Sequence, residues 1–177
     1  MRLKNFSKKS WERKSIWDLK SPFAISSKRK SPTKYSMSNR DISLYIVDIF
    51  IAIDKISRFT CKIRNGAELL SHEMAWDACI RELEIIGEAT KMLLNSGLLK
   101  SEYRRIVDFR NQINHGYFGI DEEIVWEVIA HKLPEYQKEL IFLVTTEKIM
   151  LENAIAHAKV ENVKNEQVLR FLTNFEV

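Results

Sequence analysis

Residues 41–60 constrain the fold more than any other part of this sequence. Their apolar side chains occupy most of the circumference of an ideal α-helix. The polar positions form only a narrow stripe, at intervals of three to seven residues: Asp41, Asp48, Lys55 and Arg58. A helix with so little polar surface must be covered on more than one side. The sequence therefore predicts that this helix lies inside a bundle of other helices.

The composition supports an all-α fold for the rest of the chain. Five Gly and three Pro among 177 residues leave little material for turns, whereas residues that favour helices are abundant. A chain of this length forms one domain with tails more readily than two domains. We expect a bundle of four to five helices with an extra helix at the C-terminal end.

Helix boundaries follow from capping residues and breakers. Ser71 is a plausible N-cap of a second helix that runs to about Asn95, where Gly97 ends it. Gly87, inside this helix, indicates a close crossing of two helices.

A third helix is expected over residues 99 to about 114, and Asp121 should cap a fourth. Pro134 should kink or restart that fourth helix, because proline lacks the backbone N–H. One more amphipathic stretch follows Lys148. The predicted organisation is a basic arm over residues 1–37, a helical domain over residues 38–148 and a C-terminal helical extension over residues 149–177.

Positive charge is concentrated in the first forty residues. They contain twelve Lys and Arg against Glu12 and Asp18, a surplus of ten, whereas the whole chain carries only +4; the remaining 137 residues therefore carry −6. Aromatic residues are interleaved with these charges, a pattern that suits RNA phosphates and bases. Few aliphatic residues and two Ser-Pro pairs favour a disordered leader instead. A third reading is that translation begins at Met37.

The sequence indicates a cytoplasmic protein without cofactor, metal or membrane segment. Cys61 and Cys79 are read as reduced, buried thiols. No two of the four histidines lie three or four residues apart, as metal ligands on one helix would. The most apolar stretch, residues 42–56, is interrupted by Asp48 and Asp54.

The sequence RNQINHGY at residues 110–117 combines a cation, amides, an imidazole and a phenol within about two helical turns. Arg110 and His115 are five residues apart, about 140° around an ideal helix, and so do not share a face. Asn111 and His115 are four apart and do share one, which places Asn111 to orient the imidazole. At a helix end, the dipole favours the protonated form of His115.

This run resembles the Arg-x4-His-x-Tyr signature of the HEPN ribonucleases, and in particular of the HepT toxins. The sequence RELEIIGEA at residues 81–89 also looks like these toxins, and the resemblance covers about residues 37–143. It implies a HEPN-type bundle that dimerises so that two motifs face each other and cut RNA without a metal. Arg110 would clamp the phosphate, His115 would be the acid and base, and Asn111 would hold the imidazole or a phosphate oxygen.

The resemblance also implies a partner. In such type VII-like toxin–antitoxin pairs, a minimal nucleotidyltransferase acts as antitoxin and transfers AMP to the motif tyrosine, here Tyr117. The competing hypothesis is a noncatalytic helical subunit that binds and positions a nucleotidyltransferase. Such a subunit would use the motif for the interface or for nucleotide binding.

Glu84 and Glu88 are four apart on the second predicted helix and therefore share a face. They are candidates for lining the cleft or pairing with Arg110. The ordinary interpretation is a solvated helix face.

Overall fold

The computed structural model describes residues 41–115 and 119–175, with the side chain of His115 outside that description. The predicted arm over residues 1–37 and the predicted modification site Tyr117 both lie outside the described residues. Within the described ranges there are helices and no β-strand, so the predicted all-α class is confirmed. The α-helices are α1 (Ile42–Thr60), α2 (Gly66–Ser71), α3 (Glu73–Asn95), α4 (Arg104–His115), α5 (Glu122–Glu127), α6 (Leu133–Thr146), α7 (Glu152–Glu161) and α8 (Glu166–Thr173).

Helix α1 is the centre of the bundle. It begins at the predicted cap, where the Asp41 carboxylate accepts a hydrogen bond from Ser43 N at 3.1 Å. It packs against α3, α6, α7 and α8. Nine of its residues are buried, including Ile46, Ile49 and Phe50. The prediction of a helix covered on more than one side is therefore confirmed. Each of its buried Ile, Val and Phe side chains contributes roughly 1.5–3 kcal/mol of transfer free energy.

Helix α3 begins one residue later than the Ser71 cap predicts, with His72 in the cap position. Ser71 is the last residue of α2, and its hydroxyl donates to Glu68 O at 2.7 Å instead of capping α3. Asn65 caps α2 by accepting from Glu68 N at 2.8 Å, so the turn before α3 is already helical. The Ser71 prediction was wrong because the competing cap lies six residues upstream.

The end of α3 is as predicted. Gly97 has a φ of 79°, the left-handed conformation in which glycine is favoured. Its N–H donates to Leu94 O at 3.0 Å, and Leu98 N donates to Leu93 O at 3.2 Å. These two bonds form a Schellman motif, which satisfies the last carbonyls of α3.

Two buried polar contacts join α3 to its neighbours. Lys55 of α1 donates to Glu82 of α3 at 2.8 Å, where the Glu82 side chain is only 9% exposed. Thr90 and Tyr136 share a hydrogen bond of 2.8 Å between α3 and α6. Burial raises the pKa of Tyr136 well above its ordinary range, so its hydroxyl stays protonated.

The third predicted helix also begins later than expected, because a 3-10 turn over Ser101–Tyr103 precedes α4. The Asp121 prediction is confirmed: its carboxylate accepts from Glu123 N at 2.9 Å at the start of α5. A π-helical turn, Val128–Lys132, separates α5 from α6. Pro134 lies in the first turn of α6, where its missing N–H is tolerated. The backbone stays helical through the π-helical turn, so the chain does not leave the helix and restart it at Pro134.

The stretch after Lys148 forms two helices, not one. Helices α7 and α8 pack on α1 and on each other, and Asn165 caps α8 by accepting from Val168 N at 3.2 Å. Phe175, just beyond α8, lies with its ring centroid 4.7 Å from that of Phe50 in α1. The C-terminal segment is therefore attached to the most buried helix of the bundle.

The two cysteines differ in environment. Cys79 is buried in α3, as predicted, and burial together with nearby Glu82 raises its pKa to about 12. Cys61 is exposed, so the prediction of a second buried thiol was wrong. It follows the last residue of α1 and thus lies past the part of the helix that the bundle covers.

Of the helices described, none is long and apolar enough to cross a membrane.

Candidate active site

Helix α4 carries most of the predicted site residues, and its apolar face fixes it against α3. Ile113 is fully buried and Phe109 is nearly so, while Asn111 and Asn114 are exposed. The side chains follow the helical period, so burial of one face directs Arg110, Asn111 and Asn114 toward the surface.

Gly87 of α3 makes the approach of the two helices possible. A Cβ atom at Gly87 would lie 2.7 Å from Arg110 Cγ and closer still to Arg110 Cβ, which is overlap rather than contact. The stem of Arg110 therefore occupies the space that any larger residue at this position would fill. The sequence-based expectation of a close helix crossing at Gly87 agrees with this geometry.

Each nitrogen of the Arg110 guanidinium has an acceptor. Nη2 lies 3.3 Å from Glu88 Oε2, and Nη1 donates to Asn111 Oδ1 at 3.3 Å. Nε donates at 3.2 Å to the amide oxygen of Asn114, in the amide orientation that satisfies both of its polar atoms. The planar head group is held by contacts along all of its edges.

The network continues along α3 on both sides of Gly87. The Asn114 amide nitrogen donates to Glu84, which also accepts from Arg81 Nη1 at 3.0 Å. Glu88 presents its other oxygen, Oε1, to Lys91 Nζ at 3.3 Å. Three cations and two carboxylates leave one positive charge in this cluster.

The cluster lies at the surface and not in a closed cavity. The Arg110 side chain is 28% exposed and that of Glu88 is 45% exposed. A chain of phosphates can therefore reach the guanidinium edge without entering the core. In the described part of the chain, no group of three or more His, Cys, Asp or Glu side chains is arranged to hold a metal ion.

The structure brings together several of the predicted site residues. Arg110 contacts both Asn111 and Glu88, and Asn114 links it to Glu84. Helix α4 remains helical through His115, its last residue. The Asn111–His115 contact stays a prediction, since the imidazole lies outside the described residues, as does Tyr117.

Sequence reasoning assigned no role to Asn114 or Lys91. The signal was present in the spacing, because Asn114 is four residues after Arg110 and Lys91 is three after Glu88. What was missing was the rotation of α3 relative to α4, which decides whether side chains on two helices meet.

Comparison with known proteins assigns the chain to a family. It belongs to the HepT-like ribonuclease family, whose model matches residues 49–142. That range includes α3, α4 and the whole Arg110 cluster, while α7 and α8 lie beyond it. The sequence-based resemblance to HepT proteins is therefore confirmed.

Individual relatives cover the same domain. Two Methanocaldococcus jannaschii proteins, each named "Putative RNase", are 34% and 33% identical over 107 and 106 residues. These alignments span 59% and 58% of this chain and 97% and 90% of the relatives. The Thermococcus cleftensis "Probable ribonuclease HepT" is 36% identical over 93 residues, 51% of this chain and 84% of the relative. No solved structure matches the chain with statistical significance.

Proposed function

We propose that this protein is a metal-independent endoribonuclease and the toxin of a toxin–antitoxin pair. The observation that carries the proposal is that α4 holds Arg110 at the surface, beside Glu88 of α3, with His115 five residues later on α4. Family membership and relatives named as ribonucleases support RNA as the substrate.

Arg110 would bind the scissile phosphate. Its guanidinium can offer two parallel N–H groups to two phosphate oxygens. As negative charge builds on the phosphorus-bound oxygens in the transition state, those two hydrogen bonds strengthen. Asn111 and Asn114 orient the same head group by accepting from Nη1 and Nε.

His115 would move the protons. The ribose 2′-oxygen attacks phosphorus, the new P–O2′ bond forms and the P–O5′ bond breaks. One imidazole takes the 2′-hydroxyl proton, and one imidazolium gives a proton to the departing 5′-oxygen. The products are a 2′,3′-cyclic phosphate and a 5′-hydroxyl. An unperturbed histidine titrates near neutral pH, which suits both roles.

Two copies of the chain would form the complete site. One histidine per motif provides either the base or the acid at a given moment, whereas two motifs across a dimer cleft provide both. Each copy would place its Arg110 and His115 toward the same phosphate. The dimer is thus part of the proposed mechanism and not only a means of stability.

The test compares full-length wild type with Arg110→Ala and His115→Ala. Each purified protein is incubated with end-labelled RNA in EDTA, and growth is followed on induction. We expect each variant to lose at least about a hundredfold in cleavage rate, because a phosphate ligand and a proton-transfer group are removed. Arg170→Ala is the matched control, since Arg170 forms a surface ion pair with Glu166 on α8.

Intact RNA with soluble, dimeric wild-type protein would overturn the nuclease proposal. It would favour the second candidate, a noncatalytic subunit that positions a nucleotidyltransferase. One observation favours that candidate: residues 41–177 carry −6, the difference between +4 for the whole chain and +10 for the first forty residues. A negative domain repels RNA at long range.

Regulation by the antitoxin would act at Tyr117. A nucleotidyltransferase would form a bond between the tyrosine oxygen and the α-phosphorus of ATP, releasing pyrophosphate. The attached phosphate would place negative charge two residues from His115 and block RNA. After coexpression with the nucleotidyltransferase, mass spectrometry should find AMP on Tyr117 of the wild-type protein. The Tyr117→Phe protein should remain unmodified. Absence of AMP on the wild-type tyrosine would count against this step.

A further inference from the structure

We propose that Glu88 is an internal competitor for the phosphate of RNA at Arg110. In the free protein the Glu88 carboxylate contacts the Arg110 guanidinium. When RNA binds, a phosphate displaces the carboxylate, which keeps only its contact with Lys91. The inference rests on the proposed function, because it assumes that Arg110 receives a phosphate of the substrate.

The two oxygens of Glu88 contact different cations. Oε2 lies 3.3 Å from Arg110 Nη2 on α4, and Oε1 lies 3.3 Å from Lys91 Nζ on the same helix as Glu88. The Lys91 contact is an i,i+3 pair within α3, so it does not depend on where Arg110 points. A carboxylate that releases Arg110 therefore still has a cationic partner.

Glu88 is the charged acceptor among the contacts of this guanidinium. Asn111 and Asn114 contribute neutral amide oxygens on the other edges of the head group. When a phosphate replaces the carboxylate at Nη2, these amides continue to orient Arg110. Replacement of the carboxylate by a phosphate at Nη2 therefore leaves the guanidinium aligned by the two amides.

The exchange is physically accessible because the pair is open to solvent. Glu88 is 45% exposed and Lys91 is 47% exposed, so water already competes for the carboxylate. Ion pairs at such positions are weak and reversible. A phosphodiester that makes two charge-assisted hydrogen bonds to Arg110 can outcompete a carboxylate that makes one.

The consequence is a discrimination against weak anions. Small carboxylates and isolated phosphates must displace Glu88 through their contact with Arg110 alone. An RNA strand makes additional contacts elsewhere on the protein that offset the displacement. Removal of the carboxylate should therefore tighten RNA binding. For an exposed ion pair we expect a gain of about two- to fivefold in affinity.

The experiment measures RNA binding without cleavage. Full-length His115→Ala protein is titrated with a fluorescent single-stranded RNA at fixed salt, with and without Glu88→Gln. Glu166→Gln in the same background is the matched control, because it removes one carboxylate from a surface Arg pair on α8 and changes the net charge equally. Circular dichroism and gel filtration verify that all variants are folded to the same extent.

The expected result is a Kd about two- to fivefold lower for Glu88→Gln and a smaller change for Glu166→Gln. Adding Arg110→Ala should remove the gain, since the competition takes place at that side chain. With His115 intact, Glu88→Gln should raise kcat/KM by about two- to fivefold through a lower KM, which a structural or proton-transfer role would not produce.

Two outcomes would overturn the inference, and they differ in what else they remove. If Arg110→Ala weakens binding but Glu88→Gln behaves like Glu166→Gln, Glu88 does not compete and the proposed nuclease stands. If Arg110→Ala leaves Kd unchanged, Arg110 holds no phosphate and the proposed role of the motif falls as well.

Discussion

The Glu82–Lys55 and Glu88–Arg110 contacts each join helix α3 to a neighbouring helix, and they differ mainly in burial. Glu82 meets Lys55 of α1 at 2.8 Å with side chains 9% and 23% exposed. Glu88, six residues later, meets Arg110 of α4 at 3.3 Å with side chains 45% and 28% exposed. Both pairs join a glutamate of α3 to a cation of a neighbouring helix, and they differ in their access to water.

Burial makes the first pair a fixed part of the fold. If one partner is removed, the other keeps its charge in a region that water hardly reaches, which is costly. The second pair is half in water, where each partner can find other contacts. Helix α3 thus uses Glu82 to hold α1 through a buried pair, and it leaves the carboxylate of Glu88 exchangeable beside α4.

The largest expected effect is on stability at the buried pair. Lys55→Met should lower the free energy of unfolding by about 3 kcal/mol, because Glu82 is left without its cation. Arg110→Met, the matched change at the exposed pair, should lower it by less than about 1 kcal/mol. Urea denaturation followed by circular dichroism measures both. Equal losses of unfolding free energy in the two variants would show that burial does not distinguish the two pairs.

The next effect concerns the close crossing of α3 and α4 at Gly87, which positions Arg110 beside Glu88. Gly87→Ala introduces a Cβ that overlaps the Arg110 stem, so α4 must shift. Overpacking costs about 1–3 kcal/mol, and the better helix propensity of alanine returns about 1 kcal/mol. Cleavage should fall about tenfold or more, because displacement of a catalytic group by an ångström costs that much or more.

Gly97→Ala is the control for this substitution. A Cβ at Gly97 meets no atom within 4 Å, but the φ of 79° strains any residue other than glycine. It should lower stability by roughly 1 kcal/mol and leave the specific activity of the folded protein unchanged. Loss of activity in both variants to the same degree would mean that Gly87 acts only through stability.

The effect that is smallest at neutral pH concerns the buried side and develops only above pH 9. Burial and Glu82 raise the pKa of Cys79 from 9.0 to about 12 in the folded protein. Above pH 9 the unfolded chain loses this proton while the folded chain keeps it, so the free energy of unfolding falls as pH rises from 9 toward 12. Denaturation across this range should show a shallower fall for Cys79→Ala.

A parallel fall in wild type and Cys79→Ala would contradict this assignment. Tyr103, whose pKa is also raised to about 12 by burial and by Glu139, contributes the same fall to both proteins. The difference between the two curves therefore isolates the thiol. It also tests the environment of Glu82, which lies three residues from Cys79 on α3.

Much of the fold could be predicted because its causes are local. The apolar circumference of α1, the caps Asp41 and Asp121 and the glycine end of α3 each depend on residues within one or two turns. The Ser71 cap was wrong because Asn65 offers a competing start upstream. The prediction that Cys61 is buried was wrong, because burial depends on which neighbours extend past the end of a helix.

The sequence alone determined the helical class, the family motif and the residue types of the candidate site. Only the tertiary structure decided that Glu88 meets Arg110, that Asn114 joins Arg110 to Glu84, and that Glu82 pairs with Lys55 instead. Spacing along one helix assigns residues to a face, but partners on two helices depend on their rotation and distance. Here the packing of the Arg110 stem against Gly87 sets both, and that contact joins residues 23 positions apart in the chain.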